Sequence, residues 1–351
     1  MSLPAAVRPL EEDEERHHQP LVRTRPVLRA PRLLLQVGVG LLVGGVLVFV
    51  GLRQVSPLDV ELALRHASSW YLLGAAAAAG CFILARAWRY QVLLFPAGYR
   101  GRRPSRLATV TVALASWGPG LILPTPTSDA TFIWLGRTRL GAPVDRSATA
   151  VVLARLLDLG SLLVVGLLTA PLAGVRLPLL GQLAVLAAIG AVAAVLGGLL
   201  WGPSRRRLGR LLWRLPFAAR YAGRLEEGLA ELARSGSLSQ LLLATAAARL
   251  FTALQYLALF AAVGLPLGFW EAWFALSVRT LLLAIPIQGP AGLGTTQLWW
   301  VTALVILGIP SHAAIVAGLS VHVLDLVVSL SLAGLGWVLL LLVPRRPERI
   351  D

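Results

Sequence analysis

The chain has 351 residues, of which 57% are hydrophobic and only 14% are charged, against about 25% charged residues in an ordinary soluble domain. Its mean hydropathy is +0.74. These values exclude a soluble globular protein, a disordered chain and a nucleic-acid-binding domain with a conventional core. The net charge is +15, and all 32 basic residues are arginine. Because the arginines cluster between apolar runs, they indicate membrane orientation, and no nucleic-acid partner is expected.

The N-terminal region, residues 1–31, is a polar tail with an acidic run and a pair of histidines. It has too few apolar residues to bury a core, so we predict a disordered cytoplasmic tail. The apolar run at 33–52 is too late and too long for a cleaved signal and is predicted to be an uncleaved span. We predict a membrane domain over 32–344, followed by a second cytoplasmic tail, 345–351.

The apolar runs predict an all-α polytopic membrane protein, because a helix needs about 20 such residues to cross the hydrocarbon core. Full spans are predicted near 33–52, 70–95, 147–170, 178–201, 240–263 and 312–343. Two further regions, 107–135 and 271–308, are apolar but interrupted in the middle. The predicted breaks are Pro124 and Pro126 in the first region and Pro286, Gly289, Gly292 and Gly294 in the second.

Such breaks free backbone groups, which must be buried in protein or line a water-filled cavity. Each interrupted region is predicted either as two short crossing helices or as one re-entrant hairpin. In both cases the chain returns to the side of the membrane that it left.

Loop arginines predict the orientation of the spans. They are abundant at 96–106, 136–146 and 204–239 and sparse at 171–177 and 264–270. By the positive-inside rule, both termini and the arginine-rich loops are predicted to be cytoplasmic. The first interrupted region then opens to the cytoplasm and the second to the outside. Within 204–239, arginines alternate with apolar residues at helical spacing, which predicts a basic segment on the anionic inner leaflet.

The chain contains no lysine and no asparagine, and it is rich in alanine, leucine and glycine. This composition is typical of a high-GC prokaryotic genome. We therefore predict a multi-pass protein of a prokaryotic plasma membrane.

An internal repeat is predicted from ungapped matches at an offset of 167 residues. Leu140-Gly141-Ala142-Pro143 matches Leu307-Gly308-Ile309-Pro310, and Leu157-Asp158-Leu159 matches Leu324-Asp325-Leu326. An odd number of predicted crossings separates the copies, so they point in opposite directions. Inverted repeats with discontinuous helices are typical of secondary transporters, whose site lies at the repeat interface.

Several ionisable and polar residues fall inside apolar regions, where a charge costs roughly 2.5 kcal/mol or more. Arg155 and Asp158 are three residues apart, on one helix face, and are predicted to pair. We predict that the candidate residues bind substrate in one hydrated space between the two broken hairpins, although they could instead only hold helices together. They are Asp129, Arg155, Asp158, Arg249, Arg279, Gln297, His322 and Asp325.

The sequence gives little indication of an enzyme. The sequence has no His-Glu-x-x-His zinc site, no paired aspartates spaced for magnesium-diphosphate chemistry and no phosphate loop. We therefore expect no catalytic residue, no metal and no cofactor.

Taken together, several short motifs resemble the membrane domain of the lysylphosphatidylglycerol synthase/flippase family, over about 33–343. The matching motifs are Trp88-Arg89, Leu123-Pro124 followed by Asp129, Arg137 before Leu140-Gly141, Arg155 to Asp158, Pro286 with the glycines at 289, 292 and 294, and Gly308-Ile309-Pro310. The resemblance implies that the chain moves lipids with polar headgroups between leaflets. Full-length enzymes of the family add a soluble aminoacyltransferase domain, which we expect to be absent, because only residues 345–351 follow the last predicted span.

The chain departs from the family pattern at three carboxylate positions. Ser128-Asp129 stands where the family usually has Gly-Glu, and Ala154 and Gln297 stand where glutamates are usual. The lost carboxylates make a cationic aminoacyl headgroup a poor substrate, whereas Arg155, Arg249 and Arg279 suit a phosphate. Membrane lipids, anionic ones above all, are therefore the expected partners.

The sequence leaves three functional hypotheses. The first is a flippase for a polar anionic phospholipid or a lipid-linked molecule, without enzymatic activity. The second is an intramembrane transferase acting on a lipid phosphate, with Asp158 or His322 as base. The third is a membrane scaffold or regulator that transports nothing.

Overall fold

The computed structural model describes residues 55–190 and 231–345, apart from 98, 100, 102, 124–126, 177, 180, 184–185, 188–189, 233, 283–289 and 293. Several predicted features lie outside the described residues: the tail 1–31, the span at 33–52, most of the span at 178–201, most of the loop 204–239 and all of the tail 345–351 except Arg345. Four predicted break residues also lie outside them, namely Pro124, Pro126, Pro286 and Gly289.

The described part of the chain is helical and contains no β-strand, as the all-α prediction requires. Its α-helices are α1 (Pro57–Arg65), α2 (Ser69–Leu94), α3 (Arg106–Trp117), α4 (Pro119–Ile122), α5 (Thr127–Leu135), α6 (Val144–Leu172), α7 (Leu238–Ala262), α8 (Phe269–Leu282), α9 (Thr295–Ile306) and α10 (Ser311–Leu339). A π-helical turn, Gly136–Leu140, follows α5, and a 3-10 turn, Pro290–Gly292, precedes α9.

Four helices in the described residues, α2, α6, α7 and α10, are long and apolar enough to cross a membrane. They correspond to the predicted spans at 70–95, 147–170, 240–263 and 312–343. The two apolar regions predicted to be interrupted are divided into shorter helices. The first contains α3, α4 and α5, and the second contains α8, the 3-10 turn and α9.

The same four-residue turn precedes the two longest described helices, α6 and α10, which have 29 residues each. Gly141 and Gly308 have φ values of 69° and 84°, in the left-handed region that favours glycine. Pro143 and Pro310 then take the N-cap positions of α6 and α10. Because proline cannot continue a preceding helix but tolerates the start of a new one, the Leu-Gly-x-Pro motif ends one helix and begins the next.

The short helices of each interrupted region pack against a long helix from the other part of the chain. α3 packs along α10, and α8 packs along α6. A Cβ on Gly336 of α10 would lie 2.5 Å from the Cβ of Leu114 and 2.6 Å from the backbone nitrogen of Ala115. A Cβ on Gly166 of α6 would lie 2.7 Å from the Cβ of Ser277. Glycine at both positions therefore permits these close approaches.

The apolar interior forms a cluster around each interrupted region. In one, the rings of Tyr90 and Phe132 stack with centroids 3.9 Å apart. In the other, Phe260 packs edge-on against Trp300 with centroids 4.9 Å apart. Between the two regions, α4 packs against the 3-10 turn Pro290–Gly292, so the first interrupted region contacts the turn in the second.

Candidate functional site

The first concentration of charge surrounds Asp158 of α6. Arg89 of α2 donates two hydrogen bonds to its carboxylate, from Nη1 to Oδ1 at 2.5 Å and from Nη2 to Oδ2 at 3.2 Å. Arg249 of α7 donates a third, from Nη2 to Oδ1 at 2.5 Å. Three membrane-spanning helices therefore meet at one carboxylate. Because the Arg89 side chain is only 3% exposed, Asp158 offsets the cost of burying its charge.

A second ion pair lies on the same helix, one turn before Asp158. Arg155 donates from Nε and Nη2 to Oδ2 of Asp129 in α5, at 3.2 and 3.0 Å. The Arg155 side chain is 49% exposed and that of Asp129 is 19% exposed. Arg155 therefore stands at an accessible edge of the protein, in contrast to the buried Arg89.

The predicted pairing of Arg155 with Asp158 is wrong. The two residues do lie one turn apart on α6, but each takes a partner from another helix. The reason is burial: Arg89 and Arg249 are far less exposed than Arg155, and an unpaired buried charge costs more than a half-exposed one.

Arg86 completes this region, one turn before Arg89 on α2. Its Nη2 lies 3.5 Å from Oγ of Ser128, and its guanidinium lies 5.5 Å from the centre of the Tyr90 ring. We use the name arginine cluster for Arg86, Arg89, Asp129, Arg155, Asp158 and Arg249 together. Because arginine stays charged in proteins, four guanidinium groups face two carboxylates, which leaves an excess of two positive charges if both are ionised.

The second concentration of polar groups surrounds Asp325 of α10, and here the partners are neutral. Gln255 Nε2 donates to Oδ1 at 2.8 Å, and Tyr256 Oη donates to Oδ2 at 2.8 Å. Ser329 Oγ, one turn along α10, donates to Oδ1 at 3.2 Å. We use the name Asp325 cluster for Gln255, Tyr256, Asp325 and Ser329. Among the described residues no arginine lies within ion-pair distance of Asp325.

Arg279 of α8 adjoins the Asp325 cluster through its aromatic neighbours. Its guanidinium lies 5.3 Å from the ring centres of both Tyr256 and Trp300, which is the range of a cation–π interaction. No carboxylate of the described residues lies within ion-pair distance of Arg279. The ring of Tyr256 therefore contacts the arginine, while its hydroxyl contacts Asp325.

His322 connects α10 to the break before α9. Its Nε2 donates to the carbonyl of Ala291 at 3.0 Å, and Ala291 has a left-handed φ of 53°, which is rare for a residue other than glycine. Gly292 follows with a φ of 67°, and a Cβ there would clash with Oγ1 of Thr296. The chain thus leaves regular helical geometry at Gly292, and Gly294, two residues later, also has a positive φ, 79°.

Two buried atoms near this break have no hydrogen-bond partner in the described part of the chain. They are Nδ1 of His322 and Oε1 of Gln297. Both side chains are less than a tenth exposed. A polar atom in such a position is costly unless a ligand or water satisfies it.

The predicted site residues thus fall into two groups. Asp129, Arg155, Asp158 and Arg249 belong to the arginine cluster, whereas Arg279, Gln297, His322 and Asp325 lie around the Asp325 cluster and the adjacent break. Helix α7 connects the groups, because Arg249 and Gln255 are six residues, or about 9 Å, apart along it. Whether the groups line a single hydrated space stays a prediction.

The sequence prediction of the site did not include Arg86 and Arg89. Arg89 lies near the end of a predicted span, where arginine ordinarily marks only the cytoplasmic boundary. The predicted repeat offers a signal for Arg89. The offset of 167 residues places Arg89 on Tyr256 and Asp158 on Asp325. In the structure Arg89 contacts Asp158, and Tyr256 contacts Asp325 in the same way.

The architecture is that of a multi-pass helical membrane protein with a charged network between its spans. A family model described as the lysylphosphatidylglycerol synthase TM region matches residues 37–347. The chain therefore belongs to this family, and the resemblance predicted from its sequence is confirmed. No curated protein and no solved structure matches the chain.

Proposed function

We propose that this protein is a flippase that moves a polar anionic phospholipid, or a lipid-linked molecule with a phosphate, between the leaflets of the membrane. The observation that carries the proposal is the arginine cluster, in which four guanidinium groups face only two carboxylates. Uncompensated charge is costly in a membrane and marks a binding site or pathway for ions or charged substrates. An excess of two positive charges suits a phosphate group.

Arg155 is the residue that would bind the phosphate directly, because its side chain is half exposed. Its planar guanidinium can donate two parallel hydrogen bonds to phosphate oxygens and stays charged when partly buried. Asp129 holds Arg155 in the absence of substrate. Arg89 and Arg249 fix Asp158 behind it and contribute positive potential, while the acyl chains of the substrate stay in the bilayer.

An inverted repeat would supply alternating access to this site. Shifted by 167 residues, α6 (Val144–Leu172) falls on α10 (Ser311–Leu339) at both ends, and α2 falls on α7 to within two residues. The packing agrees with a two-fold relation between the halves. α3 packs on α10 just as its counterpart α8 packs on α6, and the counterparts α2 and α7 pack on each other.

We further propose that the interrupted regions are re-entrant hairpins. Helices α3 and α9 have 12 residues each, or about 18 Å of helix, which is too short for a hydrocarbon core of about 30 Å. The contact between α4 and the turn Pro290–Gly292 would then close the path between the two sides. Exchange of the two halves would open that contact to each side in turn.

The proposed function includes an orientation and a location. Both termini face the cytoplasm of a prokaryotic cell, and the protein lies in the plasma membrane, as the loop arginines and composition indicate. In a Cys81→Ala background, Ser239→Cys should react with a membrane-impermeant maleimide only after the cells are permeabilised. Arg176→Cys, in an arginine-poor loop, should react in intact cells, and the reverse pattern would contradict the orientation.

The proposed activity is the transport of lipid without catalysis of a chemical reaction. Reconstitution in liposomes with fluorescent lipids tests this, because dithionite bleaches only the label in the outer leaflet. Without flipping about half of the label is bleached, whereas with the protein we expect nearly complete bleaching of labelled phosphatidylglycerol and less of labelled phosphatidylcholine. Bleaching equal to that of protein-free liposomes across a panel of anionic and zwitterionic lipids would refute the flippase. A changed lipid mass in the same vesicles would indicate the transferase instead.

A further inference from the structure

A cavity of about 650 Å³ lies on the opposite face of α2 from the arginine cluster. Leu84, Trp88, Gln91 and Phe95 line it, and their spacing of three and four residues places them on one face of the helix. At about 100° per residue, Arg86 and Arg89 point to the other side. The cavity is therefore separate from the site of the proposed flippase.

The polar end of the cavity carries two arginines. Arg103 donates from Nη2 to the carbonyls of Pro96 and Ala97, at 2.7 and 3.0 Å, and these bonds fix its position at the end of α2. Arg106, in the first turn of α3, is exposed, and its side chain makes no hydrogen bond or ion pair with any described residue. Among the described residues that line the cavity there is no carboxylate, so both charges are available to an anion.

The remaining lining changes from polar to apolar along α2. Gln91 lies three residues, or about 5 Å, before the last residue of the helix, and Gln240 of α7 lines the cavity as well. Leu84 lies about 15 Å before the end of α2 and is exposed, as is Trp88. The cavity thus has a charged end at the level where a headgroup lies and an apolar wall that runs toward the hydrocarbon.

We propose that this cavity binds one anionic phospholipid, with its phosphate between Arg103 and Arg106 and an acyl chain along Leu84 and Trp88. Basic pockets between transmembrane helices bind anionic headgroups in this way. The volume is in the range of small-molecule sites. This lipid is a bound ligand and not the transported molecule. Its place in the cytoplasmic leaflet rests on the proposed orientation, but its binding does not depend on the proposed transport.

Native mass spectrometry of the purified full chain in detergent tests the proposal, with phosphatidylglycerol and phosphatidylcholine as probes. Wild-type protein should retain phosphatidylglycerol in preference to phosphatidylcholine. The double variant Arg103→Ala/Arg106→Ala should bind phosphatidylglycerol at least about tenfold more weakly. The matched control Arg176→Ala/Arg345→Ala also removes two exposed arginines, neither of which lines the cavity, and should bind as wild type does.

A second variant tests whether lipid binding requires the open volume of the cavity, without removing its arginines. Gln91→Trp keeps both arginines but fills the cavity, and it should also lose the lipid. Equal binding by wild type and the Arg103/Arg106 double variant would overturn the proposal, as would equal retention of the two lipids. Inorganic phosphate is the second probe. If it protected the wild type against thermal unfolding as strongly as phosphatidylglycerol does, the ligand would be a soluble phosphate and the proposal of a bound lipid would be wrong.

Arg155→Ala separates this proposal from the proposed function. The variant should retain phosphatidylglycerol in the cavity, because Arg155 lies in the arginine cluster on the other side of α2. If Arg155→Ala lost the lipid while Arg103→Ala/Arg106→Ala kept it, the measured lipid would lie at the arginine cluster, and the cavity proposal would be wrong. If liposomes showed no transport but the cavity variants lost the lipid, only the flippase would fail.

Discussion

Asp158 and Asp325 occupy equivalent positions on two helices of equal length, yet they are satisfied in opposite ways. Asp158 accepts from two arginines, Arg89 and Arg249, whereas Asp325 accepts from the neutral donors of Gln255, Tyr256 and Ser329. The first cluster thus gathers positive charge, whereas no cation of the described residues lies within ion-pair distance of Asp325. The two sites differ because the side chains that contact the two carboxylates differ in charge, as Arg89 and Tyr256 illustrate.

The largest expected effect comes from neutralising the carboxylate that two arginines share. Asp158→Asn keeps the shape but leaves the buried charges of Arg89 and Arg249 without an anion, so it should destabilise the protein by about 3–5 kcal/mol. Thermal unfolding in detergent measures this against Asp145→Asn, which changes an exposed residue on the same helix. Equal unfolding midpoints for the two variants would show that Asp158 is not essential to the network.

The equivalent change in the other half should cost less. Asp325→Asn leaves no buried cation behind, and the asparagine carbonyl can still accept from one or two of the three neutral donors. We expect a loss of about 1–3 kcal/mol in the same unfolding assay. A loss as large as that of Asp158→Asn would mean that Asp325 also compensates a cation, and the contrast between the clusters would fail.

A single donor to Asp325 should matter less again. Tyr256→Phe removes one hydrogen bond but keeps the ring that contacts Arg279, so we expect a loss of about 1 kcal/mol. Tyr71→Phe on α2, whose side chain is exposed, is the control. If Tyr256→Phe unfolded as Asp325→Asn does, the hydroxyl alone would account for the stability of the cluster.

The smallest effect on stability and the largest on transport are expected at Arg155. Because Arg155 is half exposed, Arg155→Ala should lower the free energy of unfolding by less than about 1 kcal/mol. Lipid bleaching in liposomes should nevertheless fall to the protein-free level, while Arg155→Lys, which cannot donate in the same two-pronged geometry, should restore only part of it. Arg176→Ala is the matched control, and normal transport by Arg155→Ala would exclude Arg155 as the phosphate-binding residue.

The membrane spans could be predicted from the sequence because hydrocarbon imposes both a length and a composition. The predicted spans at 70–95 and 312–343 agree with α2 and α10 to within a few residues. The interruption before α9 could also be predicted, because glycine readily adopts left-handed backbone conformations that other residues avoid. Gly292 has such a conformation in the structure.

The partners of the charged residues could not be predicted in the same way. The spacing of Arg155 and Asp158 shows only that they share a helix face, whereas their partners are chosen by burial across helices. Arg89 belongs to a family motif, but an arginine near the end of a span ordinarily marks only the membrane boundary. Only the packing of α2 against α6 and α7 reveals that it is buried against Asp158.

The crossed packing of the two halves has a consequence for biosynthesis. α3 packs on α10 and α8 on α6, so neither half can complete its helix contacts while the other is missing. At a synthesis rate of about 5–20 residues per second, α3 waits on the order of ten seconds for α10 to leave the ribosome. During that time the face of α3 around Leu114 and Ala115 lacks its contact with Gly336 of α10.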